Sequence, residues 1–217
     1  MRILRNILGV IIAIAVIAIA IAYLLPQRVA LARSTDIAAP PSVVFPLVGD
    51  LRQSRTWYPW VTMDPDIKVE FSGPDAGVGQ KMSWESAKVG DGSQTVTAYE
   101  PDTRVQTALD FGAQGNAIAT TTIDSKGNGS TVTWGFETDL GMNPVARYFG
   151  LALERFVAPD YEKGLAKLKE LAEAEAAKPA PEPPSAPAPE TPSVSNETPA
   201  APLPAEPAPE TPAPATP

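Results

Sequence analysis

The chain contains neither cysteine nor histidine. Without cysteine there is no disulfide, no thiolate nucleophile and no cysteine-based metal site, so stability has to come from a packed core. Without histidine the usual general base near neutral pH, the Ser-His-Asp triad and the commonest transition-metal ligand are all missing. Any catalysis has to run on Asp, Glu, Tyr, Lys or Arg, and no metal or cofactor is expected. Positive charge is also short, with 17 Lys and Arg against 25 Asp and Glu, a formal net charge of −8. That balance lacks the clustered bases that nucleic acid requires, and it supplies no basic patch for anionic lipid.

Charge is absent altogether from the nineteen residues Ile7–Leu25, twelve of which are Ile, Leu or Val. As a helix this run reaches roughly 28 Å at ~1.5 Å per residue, close to the ~30 Å apolar thickness of a bilayer. The preceding charges, Arg2 and Arg5, are both positive, so the positive-inside rule keeps the N-terminus cytoplasmic and sends the remainder outward, to the periplasmic side in a bacterium. The competing reading is a cleaved secretory signal, for which Ala20 and Ala22 speak. The length of the run and the sequence Tyr23-Leu24-Leu25-Pro26, with no clean cleavage site, favour an uncleaved single-pass anchor.

Three segments follow: an anchor over residues 1–26, a domain over 27–178 and a tail over 179–217. The domain has 152 residues, enough for a proper core, and a net charge of −5. The tail holds fifteen of the 25 prolines. It cannot bury enough apolar surface to fold and is expected to be disordered, either merely solvated or a tether to an envelope or protein partner.

The domain pattern predicts α+β. Val29–Ile37 reads as a first strand, Ser42–Val48 and Asp50–Thr56 as short helices. Strand-like runs follow at Ile67–Ser72, Gln80–Ser86, Thr95–Glu100, Arg104–Phe111, Ala117–Asp124 and Thr131–Glu137, separated by turn residues at hairpin spacing, so the sheet should be antiparallel. A long helix starts at the capping pair Asn143-Pro144, with Val145, Tyr148, Phe149, Ala152 and Phe156 as its apolar stripe. Pro159 predicts a kink or break in it.

The order of these elements, the stretch Arg33–Phe45 with its Ile37-Ala38-Ala39-Pro40 turn, the aromatic run Trp57-Tyr58-Pro59-Trp60, Gly77-Val78-Gly79 before Trp84, and Gly164–Lys169 resemble the SRPBCC or START-like superfamily. The likeness is to its polyketide cyclase/dehydrase-type branch and covers roughly Val29–Glu173. It implies a helix-grip fold, a curved antiparallel sheet of about seven strands around the long helix with an apolar cavity between them. It implies no particular reaction, because the superfamily mixes carriers, receptors and enzymes.

Strand alternation assigns Met82, Trp84, Leu109, Phe111, Trp134 and Phe136 to that cavity, faced by Tyr148, Phe149 and Phe156 of the helix. The same side chains could equally fill a solid core. Tyr148 and Gln80 are the polar groups expected to orient a ligand. Trp57 and Trp60 read as a plug at the sheet end, with Tyr58 exposed; a gate over the cavity mouth or a place at the membrane interface is the alternative for the three. Glu85 and Glu137, which invite a paired-carboxylate reading, fall on the solvent side by alternation. The function that fits is binding of a hydrophobic or amphiphilic small molecule, lipid-derived ligands included, by a membrane-anchored domain. A cyclase, dehydratase or hydrolase, and a non-catalytic envelope scaffold, are the alternatives.

Overall fold

The computed structural model describes residues 2–178; the expectation for the tail, Pro179–Pro217, lies outside the described residues. Helix α1, Arg2–Leu24, is the one helix among the described residues long and apolar enough to cross a membrane. Strand β1 (Arg28–Ile37) follows after three residues. Three short helices come next: α2 (Pro41–Gly49), α3 (Leu51–Ser54) and α4 (Pro59–Met63). Proline at the first helical position starts α2 and α4, and the Asp50 carboxylate caps α3 by accepting from the Arg52 amide at 2.9 Å.

Six further strands complete the sheet: β2 (Lys68–Ser72), β3 (Lys81–Glu85), β4 (Gly92–Glu100), β5 (Arg104–Asp110), β6 (Asn116–Lys126) and β7 (Gly129–Asp139). All neighbours are antiparallel, in the order β1-β7-β6-β5-β4-β3-β2, so the first strand pairs with the last, from Arg28 opposite Asp139 to Ile37 opposite Ser130. This is the expected helix-grip sheet. Its alternation is clean on β6 and β7, where Ala117, Ala119, Thr121 and Ile123 face inward beside Val132, Trp134 and Phe136. A register shift between Val96 and Ala98 bends β4 against β5.

Helix α5, Pro144–Ala176, spans 33 residues, and the Asn143 side chain caps it by accepting from the amides of Val145 and Ala146. The break at Pro159 does not occur; the helix continues through it to Ala176. Pro159 and Arg155, whose carbonyl loses its partner, both lie on the exposed side, where water can satisfy that oxygen, while Ala158 and Tyr161 remain packed beneath.

The apolar stripe of α5 is the main correction to the sequence reading. The face turned to the sheet is Gly150, Leu153, Val157, Tyr161, Leu165, Leu168 and Ala172, whereas Val145, Tyr148, Phe149 and Phe156 are exposed. The two stripes are offset by roughly 100–150° about the helix axis, and the bulkier one is the outer one.

Tyr58 is the second correction. It is buried rather than exposed, because its hydroxyl accepts from Gln94 Nε2 at 3.0 Å and its ring stacks on Trp134, 7° from parallel. Trp57 donates from its indole to the Leu47 carbonyl at 2.8 Å and meets Trp134 edge-on. Tyr161 stacks on the other side of Trp134 with centroids 3.8 Å apart. A methyl group added at Gly164 would lie 2.9 Å from the Trp134 ring and 3.2 Å from Pro59, so the close approach of α5 to this stack requires glycine.

Candidate functional site

Between the first half of α5 and the inner face of the sheet lies a cavity of about 680 Å³. Its floor is sheet: Trp84 from β3, Leu109 from β5, Ala117 from β6 and Phe136 from β7. The alanine at 117 sits opposite Leu109 on one side and Thr138 on the other, and its methyl group leaves volume open between them. The wall is α5, through Ala146, Phe149, Gly150, Leu153, Val157 and Tyr161. Trp60, Val89, Phe111 and the Gln114–Asn116 turn close the ends.

Trp84 and Phe111 meet edge-on at 6.1 Å. Gly92, next to Trp84 across the β3–β4 pair, has no room for a side chain because a Cβ there would overlap the indole. The indole is thereby held in the cavity wall rather than free to swing outward.

Of the residues assigned from sequence, Trp84, Leu109, Phe111, Phe136 and Phe149 converge on this cavity. Met82 and Trp134 are buried in the adjoining core, outside the lining. Tyr148 and Phe156 point away from the sheet because of the phase of α5. The two expected polar groups are both spent elsewhere. Gln80 donates to Asp50 Oδ1 and to the Asp75 carbonyl, both at 2.7 Å, and accepts from the Leu51 amide, which staples α3 to β3. The Tyr148 hydroxyl donates to the Ala18 carbonyl in α1. Ala146, Gly150, Leu153, Val157 and Tyr161 were missed; their i, i+4, i+7, i+11, i+15 spacing was the signal, continuous in phase with Leu165 and Leu168 beyond Pro159.

No Asp, Glu, Lys or Arg lines the cavity. Tyr161 is the titratable group in the lining, and burial pushes its phenol well above the ordinary tyrosine range, so it stays protonated. On the same inner face as Leu109, Gln94 Nε2 also donates to Thr107 Oγ1 at 2.9 Å, and Gln94 Oε1 is a buried acceptor without a partner among the described residues. Glu85 and Glu137 both face solvent, as alternation requires. Among the described residues no group of three or more acids is gathered where a metal could bind.

The Val89 rim is set by a carboxylate. Asp64, 3 % exposed, accepts from the Ser86 hydroxyl at 2.6 Å and from the Asp66 amide, and the Ser86 oxygen in turn accepts from the amides of Lys88 and Val89. The Ser86 hydrogen bond, more than the nearby Lys88 charge, holds Asp64 below the ordinary aspartate range. A depressed folded pKa stabilises the fold fully above the unfolded value of ~3.9 and loses that contribution as pH falls through the folded value. Acid titration of thermal stability should therefore show a decline below about pH 4 that Asp64→Asn makes shallower. An unchanged acid limb in the variant would show that Asp64 is not a source of it.

The chain matches a family model described as polyketide cyclase / dehydrase and lipid transport over residues 28–173. No curated protein matches significantly. Among solved structures it is similar to a Thermobifida fusca protein determined by solution NMR, with 18% identity, a TM-score of 0.53 and coverage of 67% of this chain and 94% of that one. It is similar also to the di-domain ARO/CYC StfQ from the steffimycin biosynthetic pathway, at 10% identity and TM-score 0.52, covering 69% of this chain and 52% of that one. The Aha1 dimer from Colwellia psychrerythraea gives 14% identity and TM-score 0.50, covering 68% and 98%. At these identities the likeness establishes the fold.

Proposed function

The chain belongs to the polyketide cyclase / dehydrase and lipid transport family, and from that premise we propose that it binds a hydrophobic or amphiphilic small molecule in the α5–sheet cavity, as a carrier or receptor rather than an enzyme. One observation carries this reading: a cavity of about 680 Å³ walled by aromatic and aliphatic side chains, in which the sole titratable group is a tyrosine that holds its proton. That volume lies within the ~300–1,000 Å³ usual for small-molecule sites, and burying apolar ligand surface there is favourable by roughly 25 cal/mol per Å². The Tyr161 hydroxyl supplies the polar atom that orients such a ligand; the Thr138 hydroxyl is already donated to the Asn116 carbonyl at 2.8 Å.

In the same proposal α1 anchors the domain to a membrane, with the N-terminus cytoplasmic and residues 27–178 on the outer face, and residues 179–217 form a separate tail. Arg2 and Arg5 ahead of the uncharged run support this orientation. Retention in the membrane pellet after alkaline extraction, with Met1 intact, is the expected behaviour; a soluble product beginning near residue 23 overturns it.

The cavity is tested with a brominated fatty acid. Bromine quenches indole on contact, and Trp60 and Trp84 both line the site, so tryptophan emission should fall saturably at one ligand per chain. Phe111→Ala should weaken that binding while costing less than the ~3–5 kcal/mol typical of truncating a fully packed Phe, because a cavity wall has fewer contacts to lose. No saturable quenching, with Phe111→Ala carrying the full core penalty, returns the domain to a solid scaffold.

A further inference from the structure

The first half of α5 is apolar on two adjoining faces, centred roughly 100° apart about its axis. One face closes the cavity; the other carries Val145, Phe149 and Phe156, each 60–70% exposed, at i, i+4 and i+11. From Leu140 to Leu153, fourteen residues, the sole charge is Arg147. That guanidinium is already engaged, donating from Nε to the Gly141 carbonyl at 2.9 Å and from Nη1 to the carbonyls of Tyr23 and Leu25 at the end of α1. The next residue, Tyr148, donates to the Ala18 carbonyl at 2.7 Å. Ala18 lies inside the uncharged run, six residues before the end of α1, or about 9 Å down its axis. The first turns of α5 are thus fastened alongside the last third of α1, not held beyond its tip.

We propose that Met142–Phe156 beds in the headgroup–acyl boundary of the bilayer that α1 crosses, so that the cavity opens on lipid and an amphiphile enters it without passing through water. This rests on the anchoring given under Proposed function. Phe149 is the joint between the two surfaces: it lines the cavity and is also 70% exposed, so it stands at the rim. Interfacial helices bury their apolar face ~5–10 Å into this boundary, comparable to the ~9 Å by which Ala18, the acceptor for Tyr148, lies below the end of α1. Charge returns at Glu154 and Arg155, and Glu154 is drawn away from the exposed stripe by Arg33 of β1 at 3.0 Å.

The absence of native cysteine makes the test direct. Full-length chain carrying Ile12→Cys, Val145→Cys, Phe156→Cys or Glu175→Cys, each with a small fluorophore, is reconstituted into phosphatidylcholine vesicles containing lipids spin-labelled near the headgroup or deep in the chain. Labels at 145 and 156 should lose about half their emission to the shallow quencher, as for a helix buried at the boundary, and label 12 should respond most to the deep one. Label 175, thirty residues or ~45 Å further along α5, should be unaffected. Quenching at 12 with none at 145 and 156 overturns the docking and leaves the anchor standing. No quenching at 12 overturns the anchor itself and the proposal with it. Excimer emission between pyrene labels at 145, growing with protein density, would show a second copy on this face and overturn the bilayer as its occupant.

Discussion

Trp134→Ala should lower the unfolding free energy by about 3–5 kcal/mol, the range for truncating a large buried aromatic. In a domain of this size that is a fall in Tm of about 6–20 °C. Trp134 is 2% exposed and is the one ring that touches Tyr161, Tyr58, Trp57 and Trp60 together. It therefore joins α4, α5 and β7 in a single stack, and Gly164 leaves nothing that can move in to fill the gap. Aromatic pairs of this kind add ~0.5–1.5 kcal/mol each beyond the area they bury. Trp134→Phe keeps a ring in the slot and should lose less than half as much. Denaturant titration checks both variants: Trp134→Ala should move the midpoint at unchanged slope. A loss below 1 kcal/mol would mean that the stack is not the joint between helix and sheet.

The second large effect is on binding. Ala117→Phe with Ala146→Phe places one ring into the cavity from the sheet and one from the helix. Affinity for the brominated fatty acid should fall at least about tenfold, equivalent to ~1.4 kcal/mol, while thermal stability moves little, because the added rings enter existing space instead of overpacking a full core. The pair separates a real cavity from a loosely drawn one. If the double variant unfolds and binding in Ala117→Phe alone is intact, the space at residue 117 is not where ligand sits.

The strands, their order of appearance and the capping of α5 were legible because each rests on a local signal: alternation, turn residues, and the Asn143-Pro144 pair. The candidate site was legible mainly from the sheet side, Phe149 being the one helix residue of the sequence assignment that reaches the cavity. Trp84, Leu109, Phe111 and Phe136 follow from period two, which assigns a face without ambiguity. On α5 the periodicity admitted two stripes, and the one with Tyr148, Phe149 and Phe156 drew the assignment by bulk. The stripe that packs is built of Ala146, Gly150, Leu153 and Val157, since a helix gripped by a sheet needs small residues where the backbone approaches. Among the outward side chains of that helix Tyr148 answers to α1, through the Ala18 carbonyl, a partner that no local pattern announces. Tyr58 and Gln80 misled for a related reason: their burial depends on partners 36 and 30 residues away in sequence, Gln94 and Asp50.

The pairing of β1 with β7 sets an order of events during synthesis. β1 is completed at Ile37, yet its partners are Ser130 to Asp139. At ~5–20 residues per second the ribosome needs roughly 5–20 s to make the intervening hundred residues. Throughout that interval β1 is an unpaired strand tethered three residues from α1. From β3 onward every strand can pair with the one made just before it, so the hairpin series β2 to β7 can zip up as it emerges, by contacts close in sequence. The closure that joins the two termini of the sheet comes last, and α5, which packs on β1, can settle only after it. The strand made first is the last to find a partner.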